Sequence, residues 1–162
     1  MIVLAFDLSL TNSGYAVGKI TGRDLEFLEI GSIRTTYKKG EEAGRRLHTI
    51  AQAVEKLYKK YPDAEMIVKE RSFSNGRVKA TQQIFKVVGV WEMISYLAGH
   101  EEFTDIAPNS VKKEVTGNGR ASKKLVAEKV KEITGIEPRN DDESDAIAVL
   151  ITFCLQQDLI DL

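Results

Sequence analysis

Two apolar runs in this chain each stop at an acid. Ile2-Val3-Leu4-Ala5-Phe6 is unbroken and ends on Asp7; Met66-Ile67-Val68 leads through Lys69 to Glu70. A continuous apolar run of this length reads as a strand buried on both faces, which belongs in a sheet covered by helices on each side. A third apolar stretch, Ala146–Ile151, has helical length and is opened by Asp142 and Asp145. Each acid therefore sits where a buried segment reaches the rim of a core. Four such carboxylates brought together would repel one another and hold their protons unless a cation neutralised them.

The intervening segments place these runs in one α/β pattern. After Asp7 the chain is polar and turn-forming over 8–13, and Gly14–Ile20 can return antiparallel to the first strand. Thr21-Gly22-Arg23-Asp24 supplies a hairpin turn into a third strand, Leu25–Ile33. The period then changes. Leu47, Ile50, Ala51, Val54, Leu57 and Tyr58 follow the spacing of an amphipathic helix over Glu41–Tyr61, stopped by Pro62 before a fourth strand, Glu65–Glu70. A long helix is predicted from about Val78 to Ala98, apolar on more sides than a small core can cover, so a contact with a second subunit is expected there. Phe103–Ala107 reads as a short fifth strand. A brief helix starts at Pro108 and breaks at Gly117-Asn118-Gly119; Ser122 caps a basic helix, Lys123–Thr134, closed by Gly135; Asn140 or Asp141 caps the last, Asp142–Gln156. The expectation is one domain over residues 1–162, an α/β fold with a mixed five-stranded sheet flanked by helices.

The formal net charge of −1 hides an uneven distribution. Residues 109–131 carry seven Lys or Arg against two Glu, whereas 137–162 carry seven acids against Arg139 alone. Such a sequence suits a polyanion held beside a bound cation, although a solvated helix face accounts for the charge equally well. The lone Cys154 lies in an apolar helical run and reads as a small buried hydrophobe. The apolar start is too short for a secretory leader, and no run approaches the roughly 20 residues that span a bilayer, so a cytosolic protein is expected.

Asp7 directly follows five apolar strand residues, so its charge needs a partner or a metal ion, with Lys69 or Lys123 as possible ion-pair partners. Glu70 holds the equivalent place on the fourth strand. Asp142 and Asp145 stand three apart and share a helix face; the helix dipole would also favour acids there by about 0.3–1 kcal/mol each, which keeps capping open as an alternative. Asp141 and Glu143 read as capping or solvent residues. Carboxylates without His or Cys select Mg²⁺, with Mn²⁺ substituting, over zinc. Two such ions about 4 Å apart would activate water for an in-line phosphoryl displacement. Basic residues fit a phosphodiester substrate: Lys112, Lys113, Lys123 and Lys124 precede the last acids, with Lys123 able to reach a scissile phosphate, while Arg71, Arg77 and Lys79 flank the loop after Glu70. Phe73 in that loop either stacks on bases or packs in the core. His48 and His100 lack metal-ligand spacing and read as structural.

Four segments in order resemble the RuvC family of Holliday junction resolvases over nearly the whole chain. They are Ala5-Phe6-Asp7-Leu8-Ser9-Leu10-Thr11-Asn12-Ser13-Gly14-Tyr15, then Val68-Lys69-Glu70-Arg71-Ser72-Phe73, then Ser110–Gly119 with Ala121-Ser122-Lys123, and finally Asp142-Glu143-Ser144-Asp145-Ala146-Ile147-Ala148. The resemblance implies a ribonuclease-H-like fold, a homodimer and Mg²⁺-dependent paired nicking of four-way DNA junctions. It implies that Asp7, Glu70, Asp142 and Asp145 form the catalytic and metal-binding tetrad. Phe73 would contact junction bases, Lys112 and Lys123 would serve cleavage, and the helix near 78–98 would form the dimer contact. Two departures stand out: Asp7-Leu8-Ser9 where bacterial members usually carry Asp-Pro-Gly, and a chain ending soon after the last helix. These suggest a phage-type member, working in the cytoplasm of a bacterial cell or a phage-infected host, and argue against a branch-migration motor as partner. Other expectations remain open: a broader branched-DNA or RNA–DNA hybrid nuclease on the same fold, or a non-catalytic junction-binding protein. A sugar-kinase or actin-like ATP-binding domain would share the strand–Asp–turn–Gly hairpin, but it needs a second domain and a second phosphate loop for which the chain has no room.

Overall fold

A computed structural model of the protein describes residues 1–40, 43–72 and 76–161. Strands β1 (Ile2–Asp7), β2 (Asn12–Thr21) and β3 (Asp24–Arg34) form an antiparallel meander. Its tight connection turns on Gly22, whose φ of 63° is left-handed, and Thr21 pairs directly with Asp24. Helix α1 (Gly44–Lys60) then crosses to β4 (Ala64–Glu70), which lies parallel to β1. Helix α2 (Val78–Leu97) leads to β5 (Thr104–Ile106), parallel to β4, and helices α3 (Pro108–Thr116), α4 (Lys123–Thr134) and α5 (Asp141–Gln156) complete the chain. The sheet order is β3-β2-β1-β4-β5, so the expected mixed five-stranded sheet is present.

Strand alternation sorts the core into two layers. Leu4, Phe6 and Ile67 point to the face covered by α1 and α2, where they meet Val54 and Trp91. Val3, Ala5 and Val68 point to the other, where they meet Ile147 and Leu150 of α5. Each of these large side chains contributes about 1.5–3 kcal/mol through burial. From Ala146 to Cys154 every residue of α5 is buried, because α3 and α4 pack over its far side.

The observed boundaries differ from the sequence expectation in instructive places. The structure starts α1 at Gly44; Glu41 and Glu42 lie outside the described residues. β5 is shorter than expected. Phe103 leaves the ladder to pack edge-on against Trp91, ring centroids 5.1 Å apart, and Ala107 is extended because Pro108 follows it. α2 leaves apolar side chains uncovered in this chain, with Val78 and Leu97 more than two-thirds exposed and Phe85, Met93 and Tyr96 about half or more. No helix among the described residues is long and apolar enough to cross a membrane.

Candidate metal centre and nucleic-acid cleft

β1 and β4 are adjacent and parallel, and the chain leaves them in opposite directions along the sheet, β1 towards β2 and β4 towards β5. Ligands bind characteristically outside the carboxyl ends of strands at such a switch point. Asp7 and Glu70 are the last residues of these two strands. Two-residue alternation puts both on the side of Val3, Ala5 and Val68, the face that α5 covers. Asp142 and Asp145 stand in the first turns of α5, whose start is capped by the Asn140 side chain accepting from the Glu143 backbone N–H.

The electrostatics show the four acids acting on one another. Asp7 holds its proton well above the ordinary carboxylate range, first because it is buried and then because Glu70, Asp145 and Asp142 crowd it with negative charge, with Lys123 opposing. Glu70 is pushed up to about 7 by burial and by Asp145, against the pull of Lys123 and Lys112. Lys123 Nζ donates to Asp145 Oδ2 at 2.7 Å. Burial alone would ease that lysine's proton off, but the bond to Asp145 and the nearby charges of Asp7 and Asp141 raise its pKa. Asn12 Nδ2 donates to Asp142 Oδ2.

An all-oxygen carboxylate set, two of whose members are driven towards protonation, suits a hard divalent cation that would relieve both burial and repulsion. Among the described residues no three His, Cys, Asp or Glu side chains form a ready-made ion cage. Asp142 and Asp145 are instead engaged by Asn12 and Lys123.

Asp7 and Glu70 open into a cleft of about 380 Å³ whose walls include Ser9, Thr11, Arg71 and Thr81. Arg71 is exposed at its edge. Arg77 and Lys79 lie exposed at the start of α2, Lys112 is half-buried and Lys113 exposed on α3. Lys124 lies 3.9 Å from Glu128 along its own helix. Phe73 falls outside the described residues.

Two sequence readings need correction. Lys69 does not pair with Asp7: alternation sends it to the opposite face, where it meets Asp105 at 2.5 Å and lies over the Trp91 and Phe103 rings. Lys123 approaches Asp7 only electrostatically, its ion pair being with Asp145. Of the capping and solvent readings of Glu143, the capping one holds: it is 2% exposed and accepts from the Arg139 backbone N–H at 2.8 Å and from its Nε at 2.9 Å. Asn12 and Arg46 were missed altogether. Arg46 is 7% exposed and braces the β1–β2 loop, donating to Thr35 Oγ1, the Leu10 carbonyl and Thr11 Oγ1. Neither residue carries a periodic signal, since each acts through a partner distant in sequence.

Residues 3–153 match the profile of the family described as crossover junction endodeoxyribonuclease RuvC. A RuvC from Treponema denticola is 34% identical over 152 residues, covering 93% of this chain and 83% of that relative. A RuvC from Dictyoglomus turgidum is 30% identical over 161 residues, covering 98% and 99%. Among solved structures, a T. thermophilus RuvC in complex with a Holliday junction substrate superposes with a TM-score of 0.84 at 24% identity, covering 97% of this chain and 94% of that one. That likeness bears out the expected ribonuclease-H-like α/β fold. The phage-type expectation finds no support in these relatives, which are bacterial.

Proposed function

The chain belongs to the crossover junction endodeoxyribonuclease RuvC family, and from that premise we propose a structure-selective DNA endonuclease that binds four-way (Holliday) junctions as a homodimer and nicks paired strands. The observation that carries the reading is Asp7, buried at the end of β1, crowded by the charges of Glu70, Asp145 and Asp142, and opening into a cleft. The family is one of metal-dependent nucleases. Asp7, Glu70, Asp142 and Asp145 would hold Mg²⁺, two ions per site with Mn²⁺ as a substitute. The ions would supply activation of the attacking water and stabilisation of the leaving 3′ oxygen.

The chain's own residues then have distinct tasks within one nuclease domain over residues 1–162. Asp7, buried and surrounded by the charges of the other acids, would be the central ligand. Lys123, which pairs with Asp145, would offer its ammonium to the substrate phosphate. Lys112 adds positive charge beside Glu70. Arg71, at the cleft edge, and Arg77, Lys79, Lys113 and Lys124 on the surrounding surface would contact the phosphate backbone, making binding steeply salt-dependent. Phe73, three residues past Glu70, would stack on junction bases. Water attacks phosphorus and the bond to O3′ breaks, leaving a 5′-phosphate and a 3′-hydroxyl that a ligase can join. The uncovered apolar stripe of α2 would form the two-fold contact, placing two sites for two symmetric strands. The site of action would be the cytoplasm.

The test is Mg²⁺-dependent cleavage of a synthetic four-way junction beside linear duplex, a Y-fork and an RNA–DNA hybrid, with Asp7→Asn as control. Symmetric nicks confined to the junction and lost in the control are expected. Equal cutting of the fork would make it a broader debranching nuclease. Cutting of the hybrid alone would overturn the substrate, and tight junction binding without cleavage in Mg²⁺ or Mn²⁺ would overturn the activity.

A further inference from the structure

Asn12 opens β2, five residues past Asp7, in a turn otherwise closed by its own serines: the Ser9 N–H donates to Ser13 Oγ at 2.9 Å, and Ser13 Oγ donates to the Ser9 carbonyl at 2.6 Å. The Asn12 side chain takes no part in that turn. It reaches across the chain, over a separation of 130 residues, to donate Nδ2 to Asp142 Oδ2. A carboxylate only accepts, so the amide nitrogen must face Asp142, and this orientation leaves Asn12 Oδ1 on the other side. That oxygen is buried and, among the described residues, has no donor.

The same stretch of β2 is pressed against α5 through its backbone. A methyl group built on Gly14 would stand 1.9 Å from the Asp142 carbonyl oxygen, so only glycine permits this approach. Gly14 thus fixes where the first turn of α5 sits, and Asn12 fixes which way the Asp142 carboxylate points. Asp145, one turn on, is held by Lys123, a largely exposed side chain. The two acids of α5 therefore differ: one is clamped by a neutral donor from the β1–β2 turn, the other is masked by a cation.

We propose that Asn12 is a positioning residue of the metal centre: its amide nitrogen orients the Asp142 carboxylate for a divalent cation. This rests on the assignment of Asp142 as a ligand. Groups that orient a ligand characteristically contribute ten- to a hundredfold to metal affinity.

The measurement is the dissociation constant of Mn²⁺ for the full-length protein without DNA, by calorimetry, together with the melting temperature of the metal-free protein. Asn12→Leu keeps the volume and removes both polar atoms; Asn12→Ala removes the side chain. Roughly tenfold weaker binding is expected for both, with the metal-free melting temperature of Asn12→Leu within about 2 °C of wild type. A structural asparagine would lower the melting temperature and leave affinity alone. Wild-type affinity in Asn12→Leu overturns the proposal, provided Asp7→Asn and Asp142→Asn weaken binding. If those two also bind as wild type, the carboxylate site itself is refuted.

Discussion

At the scale of single residues, charge in the acidic cluster opposes folding of the metal-free protein. Glu70 has its pKa raised from 4.5 to about 7, and Asp7 is raised as well. The folded chain thus keeps protons that the unfolded chain has released, so stability falls as pH climbs from about 4.5 through about 7. We predict that metal-free Asp7→Asn and Glu70→Gln melt at a higher temperature than wild type at pH 8, and that this advantage vanishes near pH 4.5. Mg²⁺ should raise the wild-type melting temperature more at pH 8 than at pH 5, where protons compete with it, and should do little for Asp7→Asn. Cleavage by either variant should drop on the order of a hundred- to a thousandfold. These acids were legible in the sequence because each closes or opens an apolar run. Asn12, Arg46 and Glu143 were not. Asn12 and Arg46 act through partners brought close only by the fold, Asp142 in one case and Thr35 with the Leu10 carbonyl in the other. Glu143 looked like another polar residue at a helix start until Arg139 and the sheet beneath it excluded water.

At the scale of elements, the site depends on the junction of β2 with α5. Gly14→Ala cannot be absorbed without moving α5, because the clash is with the backbone oxygen of Asp142 rather than with a flexible side chain. A loss of about 1–3 kcal/mol in urea unfolding is expected, accompanied by loss of cleavage larger than the stability loss explains; wild-type stability with full activity would show that the contact does not position Asp142. The elements themselves were mostly readable. β1 declared itself by its unbroken apolar run, α4 by the Ser122 cap that does accept from the Leu125 N–H, and α1 by its 3.6-residue period. β5 was overextended because propensity cannot register that Phe103 is drawn out of the strand by Trp91. Lys69, offered as one of two possible partners of Asp7, faces the other way. Alternation along β4 already separates it from Glu70, and the Asp105 pairing completes the argument once β5 is placed beside β4.

At the scale of the whole molecule, the proposed paired nicking needs two sites in a fixed relation, and α2 leaves an apolar stripe uncovered. Met93→Glu with Leu97→Glu places charge on that stripe without touching the acids. Sedimentation should then show a monomer where wild type is a dimer, with the Mn²⁺-induced rise in melting temperature retained and paired nicks replaced by single ones. An unchanged dimer would move the interface elsewhere. Overall charge was a poor guide at this scale: a net of −1 concealed the basic stretch over 109–131, whose Lys123 pairs with Asp145 of α5. The most direct measurement uses a supercoiled plasmid that extrudes a cruciform, incubated with the protein in Mg²⁺. Two nicks placed across one junction within a single binding event yield linear DNA directly, and this account predicts linear product, none from Asp7→Asn, and none from the same plasmid relaxed. Nicked circles alone, or equal cutting of the relaxed plasmid, would contradict it.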